Sequence, residues 1–159
     1  MTPITVGLMS SESNDWETPQ WFFDKLDAEF GFTLDAAATA NNAKCPRYYT
    51  VEENALGQRW PGIVWCNPPY GRVIGKFVQK GWEQAQDGAT VVMLIPARTD
   101  TRYWHQYVMR SAEVRLVSGR LYFARPGRER GPAPFPSAVV IFRKGQHEPK
   151  FSAISGALP

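Results

Sequence analysis

Two cysteines and two histidines in 159 residues leave little with which to build a metal centre. Cys45 and Cys66 lack metal-ligand spacing and have no obvious His or Asp companion in sequence, so free buried thiols are expected and no metal is implied. Cys66 also closes an apolar run, which argues against a nucleophile there. No stretch approaches the ~20 consecutive apolar residues that span a bilayer, and Met1 to Thr5 lacks a basic region followed by an apolar core. These absences lead to the expectation of a cytoplasmic protein with no membrane partner. Repeats and low-complexity tracts are missing as well. What is present, 43% hydrophobic and 21% charged residues, suits a single globular domain over 1–159, with 1–15 a flexible leader and 146–159 a tail.

Charge is unevenly spread. Residues 1–60 carry nine acidic groups against four basic ones, whereas residues 98–130 carry eight arginines against Asp100, Glu113 and Glu129. Arg98, Arg102, Arg110, Arg115, Arg120, Arg125, Arg128 and Arg130 suit phosphate contacts, because a guanidinium is a planar fork of donors that stays charged. A solvated face is the plainer explanation. The glycines and prolines of Arg125-Pro126-Gly127-Arg128-Glu129-Arg130-Gly131-Pro132 favour an exposed basic loop touching nucleic acid.

Patterning along the chain alternates strands with helices. Thr18 reads as an N-cap with Pro19 at the first helical position, and Trp21, Phe22, Leu26 and Phe30 fall on one face of a helix over 19–30 that Gly31 ends. Phe32-Thr33-Leu34 is a short strand delivering Asp35 to a sheet edge. An alanine- and asparagine-rich turn follows, and 47–51 is predicted as a further strand. The apolar run Ile63-Val64-Trp65-Cys66 is a buried strand, a helix is expected over about 73–86 with Val73, Phe77, Trp82 and Ala85 inward, and Thr90 to Ile95 is the clearest central strand. A helix over 103–109 and strands at 114–117, 120–123 and 138–142 complete the pattern, the last two joined by the basic loop. The tail after Gly145 carries no signal. The fold class is α/β: a mostly parallel doubly wound sheet with an antiparallel C-terminal strand.

Asn67-Pro68-Pro69-Tyr70 directly follows the buried strand at 63–66, at the carboxyl end where open α/β sheets bind ligands. An amino group on an aromatic ring has its lone pair delocalised into that ring. Two fixed acceptors, the Asn67 side-chain oxygen and the Pro68 carbonyl, would grip both N–H groups and favour the pyramidal, nucleophilic nitrogen of a transition state. Pro69 fixes the backbone path. Tyr70 offers a ring on which a base would stack, worth roughly 1–3 kcal/mol. The matching electrophile is a sulfonium methyl group. The same four residues also make an ordinary turn, so the motif alone leaves both readings open.

Taken together, Trp16-Glu17-Thr18-Pro19, Phe30 to Asp35, Lys44 to Thr50, Trp65 to Gly71, Leu94 to Asp100 and Gly119-Arg120-Leu121 form an ordered set. That set resembles the small phage-type DNA N6-adenine methyltransferases of the Dam family, from Asp15 to Arg143. The resemblance implies a Rossmann-like methyltransferase fold, S-adenosylmethionine as methyl donor, adenine in DNA as acceptor, and Asn67, Pro68, Pro69 and Tyr70 as catalytic residues in a host-cell cytoplasm. It also implies that Thr18, Pro19, Asp35 and Ala36 line the methionine end of the donor pocket, with Asn54 accepting from the donor's adenine amine and Glu52 or Glu53 at the ribose. Two departures from similar enzymes stand out: Ala36-Ala37-Ala38-Thr39 where a glycine-rich turn is usual, and Asn54 where an Asp is usual. Arg98, Arg102, Arg125, Arg128 and Arg130 are the expected DNA contacts. The rivals are a methyltransferase of RNA guanine or protein glutamine, and a non-catalytic DNA-binding module. Plain turn-forming by Asp35 and plain capping by Thr18 stay open beside the donor-site reading.

Overall fold

A computed structural model describes residues 16–125 and 127–158. Its centre is a six-stranded sheet: β1 Leu34–Asp35, β2 Ile63–Cys66, β3 Thr90–Pro96, β4 Ala112–Ser118, β7 Ser137–Phe142 and β8 Lys150–Ser155, in the spatial order β1-β2-β3-β7-β4-β8. A separate two-stranded hairpin joins β5 Tyr122–Arg125 to β6 Arg128–Pro132. All neighbours in the large sheet are parallel except the two ladders of β7. The expected mostly parallel α/β sheet is therefore present. Its antiparallel strand lies inside the sheet rather than at an end, and is buried at every position.

Strand parity places the helices. Trp65, Val92, Ile141 and Glu113 form one cross-strand row, and Cys66, Met93, Val140 and Val114 the next, on the opposite face. Helix α1, Gln20–Phe30, covers the first face through Phe22, Phe23 and Leu26, with the Phe23 ring 5.4 Å from Trp65. Helix α2, Ile74–Gln86, covers the second, so closely at Gly81 that a Cβ there would meet the Met93 sulfur at 2.9 Å. Its inward residues are Ile74, Phe77, Val78, Gly81 and Ala85, whereas Val73 is exposed. A sheet clothed on both faces by apolar stripes needs no further layer. Among the described residues no helix is long and apolar enough to cross a membrane.

Several local expectations are corrected. Pro19 rather than Thr18 caps α1, its carbonyl accepting the Phe22 and Phe23 N–H groups, and Gly31 ends the helix at φ 68°. Residues 47–51 make only one bridge, Tyr48 to Asp35, instead of a strand. The helix expected over 103–109 is present, its middle wound as a π-helical turn, Trp104–Val108, that runs into α3, Met109–Ser111. The basic segment is no loop between paired strands: it folds back on itself as the β5–β6 hairpin, turning at Gly127 with φ 72°. The tail holds β8. The expected leader lies outside the described residues.

Candidate active site

Because β1, β2 and β3 run the same way, Asp35, Asn67 and Ala97 emerge at one edge of the sheet. There a cavity of about 610 Å³ opens, within the usual range for small-molecule sites. Asn67, Pro68, Pro69, Thr18, Asp35, Ala36 and Asn54 all line it, as do Trp16, Lys44, Tyr49 and Phe77. Residues from five separate stretches of chain thus converge on one hollow. Pro19 and Glu52 do not reach its wall. Glu52 is exposed and accepts the Thr50 hydroxyl at 2.7 Å, while Thr50 and Val51 take the wall position expected for it.

The side chain of Asn67 is held in one orientation. Its Nδ2 donates to the Trp16 carbonyl and, at 3.0 Å, to the Thr18 hydroxyl. A carbonyl only accepts, so the amide cannot be flipped, and Oδ1 must point the other way. That oxygen is shielded and has no hydrogen-bond partner among the described residues. Leaving a buried acceptor unmade costs about 1–3 kcal/mol, which folding alone gives no reason to retain. Thr18, buried at 4% exposure, is a positioning residue for Asn67 rather than the helix cap it resembles. The Trp16 carbonyl was missed by sequence reading because backbone groups leave no side-chain signal.

Tyr70 departs from expectation. Its ring is 3% exposed, its hydroxyl donates to the Leu94 carbonyl at 3.0 Å, and Phe135 packs edge-on at 5.5 Å. A phenol so anchored fixes the turn to the end of β3 and presents no stacking face to the cavity.

Asp35 is 2% exposed. Its Oδ1 accepts the Ala37 N–H at 3.2 Å and its Oδ2 the Lys44 N–H at 2.9 Å, so the carboxylate organises the loop 36–44 while lining the cavity. Burial outweighs those two bonds and lifts its pKa from 3.8 to about 6. The loop's amides are otherwise engaged: Ala36 N–H donates to the Trp65 carbonyl, Ala38 N–H to the Tyr49 carbonyl and Thr39 N–H to Asn42 Oδ1. The amides of 36–39 are thus all engaged without a glycine in the turn. Asn54 sits at φ 54°, a left-handed conformation that Asn tolerates. Burial pushes the Cys45 thiol up to about 12 and that of Cys66 well above its usual value, so neither is a nucleophile at neutral pH. Both cysteines are free and buried, and no group of metal-ligating side chains occurs among the described residues.

The arginines divide. Arg98 and Arg102 are exposed just beyond β3, and Arg128 and Arg130 lie exposed on β6. Arg125 instead stacks on the Trp16 ring, 4.3 Å from its centroid, which ties the hairpin to the residue holding Asn67. A bridge between Glu17 and Ala124 reinforces that junction. Arg115 is not a phosphate contact: it grips both oxygens of Glu29 at 2.7 Å and Glu113 at 2.7 Å, inside an ionic network with Arg143.

Comparison with known proteins identifies the family. Residues 7–156 match the family model described as DNA N-6-adenine-methyltransferase (Dam). The DNA N-6-adenine-methyltransferase of Escherichia phage T1 is 35% identical over 124 residues, covering 71% of this chain and 51% of that protein, so the match spans about half the length of the T1 protein. The protein of the same name from Haemophilus phage HP1 is 30% identical over 138 residues, covering 83% of this chain and 80% of its own. The resemblance carried by the motifs thus extends across nearly the whole sequence, and the chain belongs to the DNA N-6-adenine-methyltransferase (Dam) family.

Proposed function

We propose that this chain transfers the methyl group of S-adenosylmethionine to N6 of adenine in DNA, with the base rotated out of the duplex into the edge beside Asn67. The observation that carries this reading is the Asn67 oxygen: oriented by Trp16 and Thr18, shielded, and without a hydrogen-bond partner among the described residues. It and the Pro68 carbonyl accept the two N6–H groups, concentrating electron density on nitrogen as it pyramidalises. The donor, when bound in the adjoining cavity, supplies an activated methyl group. Asp35 and Thr18 border that cavity, and Asn54 offers an amide oxygen to an adenine amine at its far side. Pro69 and the anchored Tyr70 hold the turn rigid, so placing the two reactants in contact provides much of the acceleration.

Base extrusion costs a few kcal/mol, and phosphate contacts by exposed Arg98, Arg102, Arg128 and Arg130 offset it. Arg125 serves DNA binding through the hairpin's placement on Trp16. A phage-type enzyme of this kind works in the cytoplasm of its host. The test is incubation with labelled S-adenosylmethionine and plasmid DNA, followed by nucleoside analysis for N6-methyladenine. Asn67→Ala is expected to lose about 100-fold or more in rate while keeping donor affinity, the scale seen when one transition-state hydrogen bond is removed. Label in RNA guanine or protein glutamine with none in DNA would reassign the acceptor; unchanged turnover by Asn67→Ala would remove that residue from the chemistry.

A further inference from the structure

Trp16 belongs to no helix or strand, yet its carbonyl is one of the two acceptors that orient the Asn67 amide. Where that carbonyl points is set by what the Trp16 ring and the neighbouring backbone touch, and β5 supplies contacts of both kinds. Phe123 meets the ring edge-on at 5.8 Å between centroids, and the Arg125 guanidinium lies over it at 4.3 Å. One residue on, Glu17 and Ala124 exchange two backbone hydrogen bonds, at 2.9 and 3.2 Å. Phe135 packs edge-on against Trp16 at 5.2 Å and against Tyr70 at 5.5 Å. The root of the hairpin and the Asn67-Pro68-Pro69-Tyr70 turn therefore share one aromatic core. Beyond that root the hairpin changes character: Arg128 and Arg130 are exposed, whereas Arg125 is half-buried against the ring.

We propose that Arg125 is a positioning residue for methyl transfer: seated on Trp16, it makes the hairpin hold the Trp16 carbonyl against Asn67, so that DNA phosphates on the hairpin steady the acceptor oxygen. This rests on the reading of Asn67 as the acceptor of the N6–H groups. The hairpin register supplies the energetic link, because Arg125 stands directly opposite Arg128. Like charges at paired positions repel, which works against the seat of Arg125 until a phosphate neutralises Arg128. A duplex thus favours the docked hairpin over the undocked one, and only such a difference between states lets a ligand shift them. The coupling runs both ways, so an adenine held on Asn67 tightens the hairpin on the duplex.

The test follows the Asn67 side-chain amide by NMR beside steady-state kinetics, the amide signal being identified by its loss in Asn67→Asp. In the unmodified protein the two Nδ2 protons are expected to exchange slowly with water, and more slowly still when an adenine-containing duplex is added. Arg125→Met should speed that exchange and lower kcat at saturating DNA, each by about 3- to 10-fold, the scale of a lost cation–π contact. It should also abolish the response of the amide to DNA. Arg125→Lys, which keeps a cation over the ring, should recover most of kcat. Trp16→Leu should lose at least as much as Arg125→Met, and combining the two should cost nothing further. A loss confined to KM for DNA, with kcat and the Asn67 amide unchanged, would overturn the proposal and make Arg125 a phosphate contact; additive losses in the double variant would overturn it as well. If the amide responds to DNA and to Arg125→Met while the unmodified protein forms no N6-methyladenine, the coupling stands and the acceptor reading falls.

Discussion

The protein keeps two clusters of charge against its sheet, and they are built on opposite plans. At the α1 side, Arg115 holds Glu29 and Glu113, and Arg143 holds Glu113, every contact at 2.7 Å. The Arg115 hydrogen bond lowers the Glu29 pKa; at Glu113 burial pushes upward but the bonds from Arg143 and Arg115 outweigh it. At the carboxyl edge, Asp35 and Lys44 are each held by neutral groups, and both are shifted toward their uncharged forms. Saturated charge belongs to architecture. Charge left short of an opposite partner is poised for something that arrives from outside.

The sharpest way to break that contrast is acidity. On the reading that Asp35, at the methionine end of the donor pocket, takes the donor's ammonium, its carboxylate with a pKa of about 6 has to be ionised, so donor affinity is expected to fall about tenfold per pH unit below 6, and binding near that pH should release a proton. Calorimetry in buffers of different ionisation enthalpy reads both. Folding responds with the opposite sign: a carboxyl raised above its unfolded value favours the fold below about 3.8 and loses that contribution as pH rises through about 6, a difference of about 3 kcal/mol. Donor-induced gain in Tm should therefore shrink on acidification while this one group steadies the free protein. A donor affinity flat from pH 5 to 8 would place Asp35 with the architectural charges.

A smaller effect is expected at Thr18. Thr18→Val removes one of the two acceptors that fix the Asn67 amide, and kcat should drop about 2- to 10-fold with KM for the donor nearly unchanged. A large rise in donor KM would instead assign Thr18 to the donor. Smallest in its bearing on function is Arg115→Met, expected to cost about 1–2 kcal/mol in thermal unfolding, less in high salt, with donor affinity untouched. Loss of donor binding in that variant would join the two clusters that the geometry separates.

Much of this was readable from residues alone. Ile63–Cys66, Thr90–Pro96 and Ser137–Phe142 announce themselves as apolar runs because they are covered on both faces. Asn67 and Asp35 were legible for another reason, that each follows or ends such a run. What escaped was polar or made of backbone. Arg128–Pro132 and Lys150–Ser155 are mostly exposed strands with no alternation strong enough to declare them. Tyr48-Tyr49-Thr50-Val51 erred the other way, having strand composition but pairing at a single bridge. Tyr70 was legible as part of a motif but not as a buried ring, since Leu94 and Phe135, which claim it, are distant in sequence. The arginines show the same limit: charge counts do not distinguish Arg115, locked onto glutamates, from Arg128, open to solvent.

The reversed direction of β7 has a consequence for how the molecule is born. Strands β3 and β4 run the same way yet never touch, and every hydrogen bond between the two halves of the large sheet passes through Ser137–Phe142. As the chain leaves the ribosome, β4 waits without its inner neighbour until that segment has emerged, past the whole basic hairpin. A nascent protein halted before Ser137 holds β1, β2 and β3 as one sheet and β4 with neither of its neighbours, so the stretch from Ser137 onward, rather than the one carrying the chemistry, closes the core.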